Sequence, residues 1–170
     1  MRKTLALAAV LAALPIAASA QSVAAIKPLY DDFRGWLIAS AQQMPEADYG
    51  FKPTPEVRSF GELIGHVASA NFMFCSRVLG EESPNRQNLE EVSSKAELVR
   101  GIEAAFAFCD KAYEMDDATA LGEITFFRQQ GTRLWVLIYN TTHNAQHYGN
   151  VVTYMRLKGM VPPSSQGGGM

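Results

Sequence analysis

The sequence predicts an all-α protein: a four-helix bundle with a long connection between helices two and three. Three observations carry this. Apolar residues recur at helical spacing over four stretches, proline and glycine punctuate the intervals, and no strand-like alternation of useful length occurs. At 170 residues, 48% of them apolar and 19% charged, the composition is that of one globular domain with its own core.

The spacing predicts a first helix over residues 23–44, with Ile26, Leu29, Tyr30, Phe33, Leu37 and Met44 on one stripe. Pro53 and Pro55 then impose a rigid, non-helical turn. The second helix opens at Ser59, which forms a capping-box pattern with Glu62, and stops at Gly80. Phe60, Leu63, Ile64, Val67 and Phe74 supply its core face. Residues 81–93 are polar and contain Pro84, a long connection by bundle standards. A third helix is expected over residues 94–114, with Leu98, Ile102, Ala105, Phe106, Cys109 and Tyr113 inward. After an irregular stretch holding Phe126, Phe127 and Gly131, the fourth helix covers residues 132–158. Its stripe is Leu134, Leu137, Ile138, Thr141, Ala145, Tyr148, Val152 and Met155, and Gly159 with Pro162 and Pro163 ends it. The bundle domain thus spans residues 21–163, and the Ser- and Gly-rich residues 164–170 are expected to form a disordered tail.

Residues 1–20 read as a cleaved signal peptide. Arg2 and Lys3 precede an apolar run, and Ala18-Ser19-Ala20 offers a small-x-small cleavage site. The apolar run is short for a membrane span, so no stable membrane anchor is expected after cleavage. The expected location is periplasmic or secreted. Loss of Arg2 and Lys3 takes the formal charge from −2 to −4, and no basic cluster points to nucleic acid.

The chain has three histidines. His143 and His147 lie four apart on the fourth helix, so both project from one face, one turn apart. His66 lies beside Leu63 and Val67 on the inward side of the second helix. Bundle interiors assemble metal sites from facing helices, and three neutral imidazoles suit a divalent cation: zinc, nickel, iron or copper. Three protein ligands leave a coordination position free, as catalytic zinc sites do. The bland alternative is that the histidines merely pack and hydrogen-bond locally. Catalytic candidates are weak: Glu62 could orient His66, and Asn71, Asn140, Asn144 and Tyr148 could hydrogen-bond a ligand. No HExxH motif, Gly-rich phosphate loop or CxxC pair is present.

Two stretches carry a resemblance. Tyr49-Gly-Phe-Lys-Pro-Thr-Pro-Glu-Val-Arg-Ser-Phe-Gly-Glu-Leu-Ile-Gly-His66-Val-Ala and Thr142-His143-Asn-Ala-Gln-His147-Tyr-Gly-Asn-Val-Val-Thr-Tyr-Met-Arg-Leu-Lys-Gly-Met-Val-Pro-Pro resemble the DinB-like (DinB/YfiT) family of metal-dependent enzymes. The resemblance covers most of the chain after residue 20. It implies a four-helix bundle with an unusual helix connection, often dimeric, and a divalent metal on His66, His143 and His147. It also implies a hydrolase, or a transferase or isomerase using a small thiol, acting on an unknown small molecule. Export would remove this chain from cytosolic thiol pools, and no thiol-binding motif is evident.

Cys75 and Cys109 fall near the ends of helices two and three. A disulfide requires those helices to run parallel; if they run antiparallel, the thiols stay apart as two small buried hydrophobes. Three readings of the whole follow: a metal-dependent hydrolase or transferase, a non-catalytic metal-binding or stress-associated bundle, or a dimerising bundle in which the histidines only pack.

Overall fold

A computed structural model describes residues 22–167; the expected signal segment lies outside the described residues. Four long helices form the bundle: α1 (Val23–Gln43), α2 (Phe60–Leu79), α3 (Lys95–Asp110) and α5 (Arg133–Leu157). A single turn, α4 (Asp117–Ala120), and a two-stranded antiparallel hairpin, β1 (Glu123–Phe126) and β2 (Gln129–Thr132), lie between α3 and α5. The four long helices match the predicted ones to within a few residues; α3 ends at Asp110, and the remainder of its predicted span is a 3₁₀ turn, Ala112–Glu114. The hairpin was not foreseen.

Local chemistry explains the helix ends. Ser22, Ser59, Ser94 and Thr132 each accept a hydrogen bond from the backbone one turn on, satisfying a donor that has no partner within the helix. At α2 the box is complete: the Ser59 hydroxyl accepts from the Glu62 amide, and the Glu62 carboxylate from the Ser59 amide. Gly80 ends α2 at φ 72°, a left-handed value that glycine adopts without a Cβ penalty.

The chain direction follows from contacts at the helix ends. A Cβ built on Gly61 would lie 3.3 Å from Leu98, and Cys75 is disulfide-bonded to Cys109, so α2 and α3 run parallel. The long 81–93 connection makes this possible by carrying the chain back along the bundle. Trp36 stacks on Tyr148 and Gln43 bonds Gln166, so α1 and α5 are also parallel. The two pairs oppose each other: Tyr30 of α1 bonds Asp110 of α3, while Tyr154 of α5 bonds the Arg58 carbonyl just before α2.

The core is one continuous cluster containing Tyr30, Leu37, Phe60, Ile64, Phe74, Ile102, Phe106, Tyr113, Leu137 and Met155. Leu29 and Ile138, which spacing placed on core stripes, are instead exposed, at 54% and 43%. Of the predicted tail, residues 164–167 are described. Pro163–Ser165 form a 3₁₀ turn, and the Ser164 amide donates to the Tyr148 hydroxyl, which in turn donates to the Ser164 hydroxyl. No helix among the described residues is long and apolar enough to cross a membrane.

Candidate metal centre

The i,i+4 spacing on α5 stacks His143 and His147 on one face, and α2 crosses opposite them with His66. The Nε2 atoms of His143 and His66 lie 3.3 Å apart, and those of His143 and His147 3.1 Å apart. One ligand atom from each of the three lies within 4.8 Å of the others. Imidazoles bound to one tetrahedral ion at about 2.0–2.1 Å would place their nitrogens about 3.3 Å apart. All three imidazoles the sequence singled out are therefore brought together, at a separation that fits one divalent cation. Lone pairs crowded at this distance repel unless a proton or a cation lies between them.

Helix register brings them into place. Asn71 of α2 donates to Asn144 of α5 at 2.9 Å, while Asn140 and Asn144 both donate to the Asn71 side-chain oxygen at 3.1 Å. Tyr113 closes the network on Asn140 at 2.8 Å. These asparagines are fully buried, where an unpaired amide is costly, so sliding α5 along α2 is strongly penalised. His66 and His143 each lie within a few residues of this lock. The asparagines are thus scaffold, not ligands, and Tyr148 is taken up by Ser164.

Glu90 orients His66. It sits on a 3₁₀ turn, Leu89–Glu91, with one carboxylate oxygen 2.7 Å from His66 Nδ1 and the other accepting from Arg58 Nε at 2.9 Å. A carboxylate facing Nδ1 keeps the proton there and leaves the Nε2 lone pair directed at the cluster. The turn reaches α2 because residue 65 is glycine: a Cβ there would overlap the Leu89 carbonyl oxygen and stand 2.9 Å from the Glu90 nitrogen. Gly65→Ala should displace this turn, costing about 1–3 kcal/mol and parting Glu90 from His66. Urea unfolding and the His66 Nδ1–H resonance report these two effects; no change in either would contradict the assignment. Glu62, expected first in the capping box and only secondarily as a partner of His66, is held by Ser59 and by Lys52 at 3.0 Å.

Burial and proximity keep the α5 imidazoles neutral. Burial, with the neighbouring His147 and His66 and the Arg58 charge, lowers His143 to about 3. Burial, His66 and Arg58 lower His147 to about 4, Glu90 opposing. Burial works against ionisation of Glu90, but hydrogen bonds from Arg58 and His66 outweigh it and hold the carboxyl below its ordinary value. The Nδ1 atoms of His143 and His147 are buried without a hydrogen-bond partner, so His66 alone of the three is anchored through its far nitrogen. A cleft of about 770 Å³ opens beside the cluster, lined by His147, Glu90, Arg58, Glu62, Asn150 and Tyr154.

The sequence profile of the DinB superfamily matches residues 29–151, an interval that holds all three histidines. A DinB-like protein from Bacillus cereus ATCC 10987 superposes with a TM-score of 0.74 at 14% identity, over 84% of this chain and 97% of its own. A DinB-like protein from Bacillus subtilis gives 0.62 at 21% identity, over 81% and 93%. At these identities the likeness to the two structures concerns the fold. No curated protein matches the chain. The profile covers well over half of the sequence, and on that ground the chain belongs to the DinB superfamily.

Proposed function

We propose that this protein is an exported metalloprotein in which His66, His143 and His147 hold a divalent cation serving hydrolysis or group transfer on a small molecule. The observation that carries the reading is the convergence of three imidazole nitrogens from two helices at 3.1 and 3.3 Å. Three neutral nitrogen donors suit zinc, nickel or iron. When bound, such a cation supplies Lewis-acid chemistry to a substrate or a water. The chain's own residues do the rest. Glu90 holds the His66 tautomer, the Asn71–Asn144 contact holds helix register, and the cleft beside His147 gives a small molecule access. Export is supported by the pattern of residues 1–20 and by the disulfide, a bond that persists in oxidising compartments.

A second reading, a metal-binding bundle that performs no chemistry, is favoured by one observation. The carboxylate nearest the cluster, Glu90, has both oxygens engaged, one by His66 and one by Arg58, leaving it unsuited to act as a general base.

Elemental analysis of protein purified without a histidine tag tests the metal site. About one equivalent of a divalent metal per chain is expected, with affinity falling at least about 100-fold on His66→Ala, His143→Ala or His147→Ala, beyond the usual cost of losing a supporting residue. Full occupancy in all three variants would end the reading. A screen of the loaded protein against ester, amide and thiol-transfer substrates then separates enzyme from binding protein.

A further inference from the structure

We infer that Arg58 is an anion anchor, and that the cleft beside the histidines takes a small molecule bearing a carboxylate; this rests on the metal-site reading above. Arg58 spends only its Nε on the protein, donating to Glu90 at 2.9 Å. Its two terminal nitrogens have no protein acceptor among the described residues. The side chain is 43% exposed, and it lines the same cleft as His147. A single carboxylate, that of Glu90, separates the guanidinium from the His66 ring.

The backbone behind this side chain is pinned. The Tyr154 hydroxyl donates to the Arg58 carbonyl at 2.8 Å, and the next residue, Ser59, is locked into the α2 capping box. Arg58 therefore presents a preset fork of donors to the cleft. The other cation lining it, Lys52, is taken by Glu62 at 3.0 Å. A planar fork with two free terminal nitrogens matches a carboxylate in bidentate fashion. The acidic neighbours Glu56, Glu62 and Glu90 also line the cleft and disfavour a ligand that concentrates two negative charges on the one group facing Arg58, as a phosphate monoester does. A ligand anchored here would reach the cluster at His147, the imidazole that lines this cleft.

The test uses the full chain loaded with Co²⁺, whose visible absorption reports ligands reaching the metal, and two probes. Azide needs only the metal, whereas succinate can engage metal and guanidinium together. Arg58→Gln should weaken succinate about tenfold and azide less than about threefold. Arg58→Lys, a point charge without the fork, should restore only part of the loss. Lys52→Gln serves as the control for the general charge of the cleft: it removes the other lining cation without touching His66 or Arg58, and should leave succinate within about threefold of the unmodified protein. Unchanged succinate binding in Arg58→Gln, equal weakening of both probes, or an equal loss in Lys52→Gln would overturn the inference while leaving the metal site standing. Failure of the unmodified protein to bind Co²⁺ would sink the metal reading, and this inference with it.

Discussion

The metal-free protein should lose about 3 kcal/mol of stability between pH 7 and pH 5, from two side chains. In the unfolded chain His143 and His147 titrate near 6.5, whereas in the fold burial chiefly lowers them to about 3 and about 4. Below pH 6.5 the unfolded state takes up protons that the folded state refuses, so stability falls with pH at up to about 1.4 kcal/mol per unit for each imidazole. The loss begins near 6.5 and, for each histidine, is complete only below its folded value. Above pH 7 both states are neutral and the contribution is flat. Carboxylates act in a lower window. Glu90, held below its ordinary range by Arg58 and His66 against the cost of burial, contributes stability that is lost only in more acidic solution. Urea midpoints of chelator-treated protein at pH 7.5, 6 and 5 measure the effect against a total stability of typically 5–15 kcal/mol. In the double variant His143→Gln, His147→Gln the slope over that window should largely vanish. A midpoint indifferent to pH in the unmodified protein would mean that the imidazoles are not desolvated as the structure has them.

Part of this site was legible in the sequence because helices make spacing into geometry. His143 and His147 share a face whatever the tertiary structure, and Leu63 and Val67 beside His66 mark that side of α2 as inward. Ser59 with Glu62, and Gly80, mark the ends of α2 by local chemistry alone. Glu90 and Arg58 were not legible. Glu90 sits among other acids in a polar connection, 24 residues from His66, and what singles it out is the close approach that Gly65 permits. The hairpin was hidden for a different reason. Its two-residue turn, Phe127–Arg128, has φ values of 46° and 64°, where Asn-Gly is the usual signal and non-glycine residues are disfavoured. The contact of Ser164 with the buried Tyr148 was equally hidden, because no local pattern announces it. The cysteine pairing was undecidable in sequence because it depended on the direction of α3, which the 81–93 connection sets.

That direction is also what makes the disulfide energetically important, and its reduction should cost about 3–4 kcal/mol. Cys75 and Cys109 are 34 residues apart, and closing a loop of that size restricts the unfolded chain by about this much in the chain-entropy account. The loop consists of the last turn of α2, the long polar connection and nearly all of α3, all of which the bond tethers in the unfolded chain. In the fold both cysteines are fully buried, their Cα atoms are 5.2 Å apart, and the Cys109 sulfur lies 3.2 Å from the Asn71 carbonyl oxygen. Reduction leaves this packing nearly unaltered, whereas Cys75→Ala with Cys109→Ala adds a cavity cost of its own. The comparison to make is therefore unfolding of oxidised against fully reduced protein, with the double variant below both. Metal stoichiometry should survive reduction in native buffer, because the amide bonds that align His66 with α5 join Asn71 to Asn140 and Asn144, and the Cys109 sulfur of α3 only abuts Asn71. Equal unfolding midpoints for the oxidised and reduced forms would show that the bond does not constrain the unfolded chain. Loss of metal together with the bond would show that α3 helps hold the site, contrary to the register argument.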